Sequence, residues 1–588
     1  MPSDQLCEET KLGIPSLAAK LAALGNAQEP NCRLQQSPNG FQLENLLINL
    51  RVDLRVDAAD VTRIPKRGPV VVVANHRFGI LDGTILTALL ARVRPDVKVM
   101  VNVLPADLPE LKRHCISVDP FQSDRSVDSH RRALTEALAW LEQEGMLAVF
   151  PAGEFPYLQS PGSQTARSAW NHTAARLIRK TGASALPVYF CGRGNVSYQL
   201  LGMLHPKLRS VFLSQEFLQQ GSRTVKVRVG SEIPGDSLAG IGDDRQATEY
   251  LRWRTNLLAQ RTKPEAYWPA VVRSKFSFKL QESVTPAVPP HLLEQELAQL
   301  SSDRLLAENG DLGVYRLRAC EAPNLLRELG RLREVTFRQA GEGTGKRQDL
   351  DRFDDYYWHV LLWNRATREL VGAYRAGNTA EILPGHGIAG LYTSTLFRYD
   401  ARLFEKLGPA LELGRSFVRQ EYQRLYAPLL LLWKGIARLV ASHPETPVLF
   451  GAVSISNDYT KASREIIYRF FEARMQDDEL AGLIEPRRPF RPGRLRRGDC
   501  RAMCQALRTL DDLSQPITDL EADGKGLPIL LRQYAKIGGK MVGFNLDRKF
   551  SNVLDGLVVV DLRQTASGVL ERYMGHDGAA RFRYYHCL

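Results

Sequence analysis

A short apolar strand that ends in polar sequence constrains this chain more than any other feature. Val70 to Val73 is a run of β-branched residues, which is typical of a strand buried inside a sheet. His76 follows it closely and Asp82 comes six residues later. Open α/β sheets place their chemistry at the C-terminal ends of strands. A histidine with a carboxylate behind it predicts a general base, and a histidine that only caps a turn is the simpler alternative.

The sequence around this strand alternates between strand-like and helix-like segments. Residues 146–150 and 185–191 resemble strands, and residues 171–180 resemble a helix. This alternation predicts an α/β sheet. The strand at 146–150 leads into the turn Pro-Ala-Gly-Glu at 151–154, whose glutamate either neighbours a helix cap or contacts a substrate near His76.

Length and charge limit the possible classes of protein. At 588 residues the chain is too long for one core, and the net charge of +13 favours a nucleic acid, an anionic membrane surface or an acidic protein as partner. No apolar run reaches the ~18 residues of a membrane span, and the polar N-terminus is unlike a signal peptide. We therefore expect a soluble or peripheral protein.

The cysteines predict neither disulfides nor a metal site. They are scattered, and the one close pair, Cys500 and Cys504, lacks the usual spacing of zinc ligands. We expect reduced cytosolic thiols, no metal and no cofactor.

Three blocks of the first half together resemble the glycerolipid acyltransferases, the family that acylates lysophosphatidic acid. They are Asn-His…Asp at 75–82, FPAGE at 150–154 and LPVYF at 186–190, and the resemblance covers about residues 50–235. It implies that His76 is the base and Asp82 its orienting partner. It also implies substrate contacts for three further residues, Asn75, Gly153 and Glu154.

The first half departs from that family in two places. Five residues separate His76 from Asp82 where most members have four, a longer spacing also found in a haemolysin-like subgroup. Six positions along a helix correspond to ~240° of rotation, so we predict that residues 77–79 form a loop in which Gly79 absorbs the extra residue. The central arginine block is replaced by CISVDPF at 115–121 with Arg125 after it, which argues against a glycerol-phosphate acceptor.

A stretch rich in proline and polar residues at 263–300 predicts a linker, and the helix-like segment from Leu292 to Leu305 is expected to begin the second domain. Further along, residues 370–375 and 411–418 resemble strands, and a helix is predicted from Tyr426. Glu412 and Arg415 would face opposite sides of a regular strand, but Gly414 between them suits a bulge that turns both towards one site. Such a bulge also frees backbone N–H groups that can hold an oxyanion.

Two weaker motifs lie before these strands. DLDRFDD at 349–355 partly alternates like a calcium loop, but it lacks the glycine and terminal glutamate of an EF-hand, so an exposed loop is favoured. GEGTG at 341–345 has the glycines of a phosphate cradle but not the lysine of a P-loop.

Four spaced residue pairs follow one another in the second half: Arg333 with Phe337, Asp351 with Asp354, Gly372 with Arg375, and Glu412 with Arg415. In this order they resemble the acyl-homoserine-lactone synthases and the ornithine N-acyltransferases, which share a GNAT-like fold. The resemblance covers about residues 312–575 and implies acyl transfer from acyl carrier protein to an amine.

The resemblance also implies a role for each residue. Glu412 would be the base, directly or through water, and Arg375 and Arg415 would bind the thioester or the carrier-protein arm. Asp351 and Asp354 would recognise the cationic groups of an amino acid. Two further residues, Arg333 and Phe337, would also contact substrate.

As a whole the chain resembles the bifunctional ornithine-lipid synthases. This implies an extension at 1–47, an α/β O-acyltransferase domain at 48–262, a linker at 263–300 and a GNAT-like α+β domain at 301–588. The second domain would acylate ornithine with a 3-hydroxyacyl chain, and the first would then esterify the hydroxyl of that lyso-ornithine lipid. The implied partners are acyl carrier protein and the cytoplasmic face of the inner membrane, without nucleic acid. The basic run at 487–497 is either a patch for one of these partners or a solvated loop.

Three other functions remain open at this point. A nucleic-acid-binding protein is suggested by charge alone, and no motif accompanies it. A pore-forming haemolysin lacks an amphipathic strand series and a secretion signal. The same chemistry on lysine, glutamine or glycine is the strongest of the three, because no pattern in the sequence indicates which acceptor side chain is recognised.

Overall fold

A computed structural model describes residues 47–48, 52–77, 80–101, 113–118, 124–152, 170–192, 223–261, 281–493, 495, 497–548, 550 and 552–588. The chain divides into two units. Unit 1 contains residues 1–261, 496–507 and 518–520, and unit 2 contains residues 262–495, 508–517 and 521–588.

The described strands of unit 1 form one sheet in the order β1-β7-β6-β2-β5-β3-β4. Only β6 and β7 are antiparallel neighbours, and the other pairs are parallel. The strands are β1 (Val52–Val56), β2 (Val70–Ala74), β3 (Val97–Val101), β4 (Cys115–Ser117), β5 (Met146–Val149), β6 (Ser184–Cys191) and β7 (Arg223–Val229). The helices between them are α1 (Ala58–Val61), α2 (Ile80–Ala91), α3 (Asp124–Glu142), α4 (Thr173–Thr181), α5 (Gly235–Ala239) and α6 (Asp244–Leu257).

The predicted strand at 70–73 is at the centre of this sheet. Its four valines are at most 1% exposed, because β5 and β6 flank it and both faces of the sheet are covered. The strands predicted at 146–150 and 185–191 are confirmed as β5 and β6. Since β2, β5 and β6 are parallel, their C-terminal ends meet at one edge.

The main sheet of unit 2 has the order β16-β17-β14-β13-β11-β10-β9-β8, and β12 pairs separately with β15. The strands are β8 (Leu305–Asn309), β9 (Leu312–Leu317), β10 (Trp358–Asn364), β11 (Glu369–Asn378), β12 (Phe397–Tyr399), β13 (Ala410–Val418), β14 (Val448–Ile455), β15 (Ile484–Pro486), β16 (Lys540–Asp547) and β17 (Val553–Asp561).

Twelve helices complete the described elements. They are α7 (Pro290–Gln299), α8 (Pro323–Gln339), α9 (Thr379–His386), α10 (Arg402–Leu407), α11 (Tyr426–Ser442), α12 (Lys461–Arg474), α13 (Asp478–Ala481), α14 (Arg497–Ala506), α15 (Leu510–Leu520), α16 (Ile529–Lys536), α17 (Ser567–Met574) and α18 (His576–Tyr585). Of these, α14 and the end of α15 belong to unit 1. The helix expected from Leu292 to Leu305 is shorter, because α7 ends at Gln299 and β8 begins at Leu305.

Strands β13 and β14 are the one parallel pair of the main sheet of unit 2, and they separate soon after they meet. They pair only through residues 410–412, although β13 runs to Val418 and β14 to Ile455. Opposite β11, Phe417 pairs with Ala373 and Gly414 with Arg375, so β13 carries one extra residue. This confirms the predicted bulge, and Arg415 within it has a positive φ of 48°.

None of the helices in the described part of the chain combines the length and the apolar character that crossing a bilayer requires.

Candidate active sites

In unit 1 the structure brings His76 and Asp82 together. The Nδ1 atom of His76 lies 3.0 Å from Oδ2 of Asp82, and the backbone N–H of Arg77 donates to the same oxygen at 2.5 Å. Asp82 lies in the first turn of α2, which begins at Ile80, so His76 precedes the helix. Of the loop predicted at residues 77–79, Arg77 is not helical, in agreement with the prediction. Residues 78 and 79 lie outside the described residues.

The environment of this pair leaves one side of the imidazole accessible. Asp82 is fully buried, whereas the side chain of His76 is 16% exposed. The ring of Phe150, at the end of β5, lies 4.8 Å from the imidazole centroid to centroid. Among the described residues, no group hydrogen-bonds to Nε2 of His76. A carboxylate on Nδ1 favours the tautomer in which Nε2 accepts a proton.

Asn75 joins the end of β2 to β6. Its side-chain amide donates to the carbonyl oxygen of Phe190 at 3.1 Å and accepts from the N–H of Phe190 at 2.7 Å. These two bonds hold the turn that carries His76, and the predicted substrate contact of Asn75 stays a prediction. Gly153, Glu154 and the side chain of Arg125 lie outside the described residues.

In unit 2, Glu412 occupies a closed site. Its carboxylate is 1% exposed and accepts from the hydroxyl of Tyr357. The N–H of Tyr392 donates to it at 3.1 Å, the N–H of Thr393 at 2.7 Å, and the hydroxyl of Thr393 donates as well. The sequence predicted a base here, but four hydrogen-bond donors already surround the carboxylate. Through these bonds the carboxylate connects β13 to the segment at 392–393. An incoming amine finds no free carboxylate oxygen in this arrangement.

The charged residues predicted to contact substrate mostly contact one another. Arg333 donates to Asp354 at 2.8 Å, and Arg375 lies 2.6 Å from Asp351 and 3.2 Å from Asp354. Arg333 is completely buried, Arg375 is 1% exposed and Asp354 2%. Asp354 is therefore not available for the cationic groups of an amino acid, because it already neutralises two buried guanidinium groups.

The electrostatics of this network match its geometry. Burial alone would raise the pKa of Asp354, but Arg333 and Arg375 outweigh it and hold that pKa well below its usual range. Burial and the charge of Arg333 lower the pKa of the adjacent His359 to about 4, so this histidine is neutral at pH 7.

The ion-pair contacts of Arg415 are longer than those of Arg333 and Arg375. Its guanidinium lies over the rings of Tyr392 and Phe550, 5.0 and 4.5 Å from their centroids. Its nearest carboxylates, Asp349 and Asp351, are 3.5 and 3.6 Å away, and Nε of Arg415 has no hydrogen-bond partner among the described residues. This arginine retains a donor that a bound group can use.

The GEGTG loop does not offer its backbone to a phosphate. Glu334 of α8, which is fully buried, accepts from the N–H groups of Thr344 and Gly345 at 3.0 and 2.8 Å and from the hydroxyl of Thr344 at 2.6 Å. A cradle needs free N–H groups, so the phosphate interpretation of this loop is wrong for these two donors. The calcium interpretation of residues 349–355 fails as well, because Asp351 and Asp354 hold arginines.

A cavity of about 550 Å³ opens in unit 2. The end of α8, the second half of β13 and the beginnings of α11 and α16 form its walls. Most of its lining is apolar or aromatic, including Phe337, Phe417 and Trp433. Three strongly exposed apolar side chains belong to it, Leu425, Tyr426 and Ile529. The predicted substrate contact of Phe337 is compatible with this position.

Sequence reasoning missed two acidic residues of unit 2, Glu342 and Asp555, the first of which acts electrostatically on the second. Glu342 lines the cavity, and Asp555 is 3% exposed in β17. Glu342 was visible only as part of the glycine-rich loop. Asp555 had a usable signal, since it is a charged residue inside the apolar run VLDGLVVV.

Comparisons with known proteins match each half of the chain to a family of acyl-transferring enzymes. A family profile described as Acyltransferase matches residues 55–191, and one described as Acetyltransferase (GNAT) domain matches residues 332–434. The glycine N(alpha)-acyltransferase of Bacteroides thetaiotaomicron is 30% identical over 302 residues, which cover 48% of this chain and 86% of that relative. A protein of the same name from Phocaeicola vulgatus is 34% identical over 205 residues, 33% of this chain and 62% of the relative. The crystal structure of the 1-acyl-sn-glycerophosphate (LPA) acyltransferase PlsC from Thermotoga maritima matches with a TM-score of 0.24 and 17% identity, over 36% of this chain and 73% of that one.

The two family profiles define a two-domain acyltransferase, with an α/β Acyltransferase domain first and a GNAT domain second. This is the domain order of the bifunctional synthases that the sequence resembles. The chain belongs to the family of the glycine N(alpha)-acyltransferase of Bacteroides thetaiotaomicron.

Proposed function

We propose that this chain performs two successive acyl transfers in the synthesis of an amino-acid lipid. Unit 2 transfers a 3-hydroxyacyl group from acyl carrier protein to the α-amine of ornithine, and unit 1 then transfers a second acyl group to the 3-hydroxyl. The observation that carries the proposal is the His76–Asp82 pair, 3.0 Å apart, in a chain that also contains a GNAT domain. A hydroxyl-activating base is of use to an N-acyltransferase only when its product carries a hydroxyl.

The chemistry of unit 1 follows from the orientation of the imidazole. Asp82 accepts a hydrogen bond from the N–H at Nδ1, and Nε2 removes the proton of the lipid hydroxyl as that oxygen attacks a thioester carbonyl. Asp82 stabilises the imidazolium that forms, and the proton then passes to the departing thiol. A lipid hydroxyl as acceptor also agrees with the missing central arginine block of the glycerol-phosphate enzymes.

The cavity of unit 2 suits the acyl chain of the first transfer. A lining of aliphatic and aromatic side chains favours a hydrocarbon chain by ~0.8 kcal/mol per buried CH₂. The cavity runs along the part of β13 that has separated from β14, where unpaired backbone is available to a thioester arm. Three exposed apolar side chains line this cavity and support an enzyme that acts at the cytoplasmic face of a membrane. They are Leu425, Tyr426 and Ile529.

Glycine is the second candidate acceptor, since both relatives are named for it. The donor and the acceptor are tested together by extracting lipids from cells that express the chain. Mass spectrometry of ninhydrin-positive lipids identifies the amino acid and both acyl chains. A new diacylated ornithine lipid is the expected product. A glycine lipid would identify glycine as the acceptor instead, and the absence of any new amino-acid lipid would contradict the proposal.

The His76→Ala variant tests the division of labour. Since a positioned base contributes about 10²–10⁴ in rate, we expect the diacyl lipid to fall by that factor while the monoacyl lyso form accumulates. Asp82→Asn should act in the same direction by favouring the wrong tautomer. A normal level of diacyl lipid from His76→Ala would exclude His76 as the base of unit 1.

A further inference from the structure

We propose that Glu342 receives the amine of the acceptor in unit 2 and takes its proton, and that Asp555 is the positioning residue behind it. The inference rests on the proposed N-acyl transfer and names the residues that perform it. It replaces Glu412, whose carboxylate is already surrounded by donors.

The position of Glu342 gives it access to a ligand. It lies three residues after the end of α8, and its backbone N–H donates to the carbonyl oxygen of Phe337 at 2.7 Å, which fixes the turn. Its side chain lines the 550 Å³ cavity, whose other walls are mainly apolar or aromatic. An amine that approaches a thioester held in this cavity therefore meets a carboxylate at the cavity wall.

Asp555 is a buried carboxyl group without a cation of its own. It pairs in register with Ser454 of β14 and Asn545 of β16, and its Oδ1 accepts from the hydroxyl of Ser454 at 2.7 Å. In the described part of the chain, no lysine or arginine lies within ion-pair distance of it. Burying a carboxylate in this way is unfavourable unless a counter-charge is supplied. Asp555 is not among the residues that line the cavity, so it can act on the acceptor only through Glu342.

The two carboxyl groups influence each other. Burial raises the pKa of Asp555 to about 7, with further contributions from Asp547 and Glu342, while Ser454 opposes the shift. Burial and the charge of Asp458 raise the pKa of Glu342 to about 7 as well. The other ionisable groups that act on Asp555 or share its surroundings are Arg415 and Tyr392. A carboxyl group that titrates near neutral pH is suited to accept and release a proton.

An independent observation points to a ligand that carries both a positive and a negative charge. The side chain of Arg415 is nine-tenths buried and its Nε has no hydrogen-bond partner among the described residues. Its guanidinium lies against Phe550, whose ring contacts that of Phe337 in the cavity wall at 6.4 Å between centroids. An amino acid carries a carboxylate next to its amine, so the unused N–H of Arg415 and the carboxylate of Glu342 match its two charges.

The transfer balances with these groups alone. The ammonium of the acceptor gives one proton to the carboxylate of Glu342, and the neutral amine attacks the carbonyl carbon of the thioester. The C–N bond forms and the C–S bond breaks, and the second proton of the nitrogen goes to the sulfur, which departs as a thiol. Glu342 returns its proton to solvent.

The experiment measures thiol release from a 3-hydroxyacyl thioester of acyl carrier protein by the full chain, with ornithine, glycine, lysine and glutamine each as acceptor. In the wild type, kcat/KM should decrease as the pH falls through about 7, where the carboxylate of Glu342 becomes protonated. This decreasing part of the pH profile is its acidic limb. Glu342→Gln should lower kcat about 10²–10⁴-fold and remove that limb. Asp555→Asn removes a neighbouring negative charge, so it should move the limb to lower pH. Glu308→Gln, a change on the exposed surface, is the matched control and should leave the profile unchanged.

Each outcome has one meaning. A folded Glu342→Gln variant with the wild-type kcat and pH limb would overturn the inference, as would loss of the limb in Glu412→Gln alone. If Glu342→Gln does not fold, an unmoved limb in Asp555→Asn overturns it. Absence of amide from the wild type with all four acceptors would overturn the proposed function itself, and this inference with it.

Discussion

At the scale of single residues, His76 and Glu412 occupy opposite environments, although the sequence predicts a base at both. One nitrogen of His76 is held by Asp82, and the other makes no hydrogen bond with a described residue. Glu412 instead receives donors from Tyr357, Tyr392 and Thr393 and is almost completely buried. A base needs an unoccupied acceptor, which His76 has and Glu412 lacks.

We therefore expect Glu412→Gln to act first on stability. The carboxamide brings an N–H₂ group into a site of donors, and each buried donor left without an acceptor costs ~1–3 kcal/mol. The free energy of unfolding, measured in urea against Glu308→Gln as control, should fall by about that amount. Unchanged stability combined with lost amide synthesis would support Glu412 as a base.

At the scale of elements, the buried charges of unit 2 connect a helix, two strands and a loop. Arg333 comes from α8 and Arg375 from β11, and the loop before β10 supplies Asp354 between them. His359 on β10 pairs in register with Arg375. The network holds these elements in place while it keeps His359 neutral.

This arrangement predicts a specific pH dependence of stability. The folded pKa of His359 is about 4, below the ordinary 6.5, so only the unfolded chain binds this proton between those values. Stability is then complete above pH 6.5 and is lost as pH falls towards 4, by about 1.4 kcal/mol per pH unit. His359→Gln lacks this titration.

The measurement is urea unfolding of the wild type and His359→Gln at pH 7 and pH 5. Other groups titrate equally in both proteins, so their difference isolates His359. The wild type should lose more stability than the variant on acidification. Equal losses would mean that His359 is protonated in the folded state.

At the scale of the molecule, unit 1 is built from parts of the chain that are far apart in sequence. Asp519, at the end of α15, is fully buried in unit 1. Its carboxylate accepts from Arg254 at 2.8 Å, 265 positions earlier, and from Ser231 at 2.7 Å. Arg63 donates to it at 3.2 Å. The α/β unit therefore depends on a carboxylate from the second half of the chain.

Removing that carboxylate should damage unit 1. Asp519→Ala leaves Arg254 buried without its counter-charge, and breaking a buried pair in this way costs ~3–5 kcal/mol. A fragment of residues 1–262 lacks Asp519 as well and should be insoluble or unfolded when it is expressed alone. Asp523→Ala, on the exposed surface nearby, is the control. A soluble, folded fragment of residues 1–262 would contradict this dependence.

The sequence by itself determined the local elements and the first site. Four valines in succession specify a buried strand, and a short turn after it can bring His76 to Asp82, so β2 and this pair were predictable. The bulge at Gly414 was also predictable, because a glycine between two charged residues of a strand suits an extra residue. Only the tertiary structure decided that Glu412 is enclosed, that Glu342 lines a cavity, and that Asp519 neutralises Arg254. Local patterns report which face of an element is apolar, whereas the partner of a buried charge depends on which distant segment folds to within ~4 Å of it.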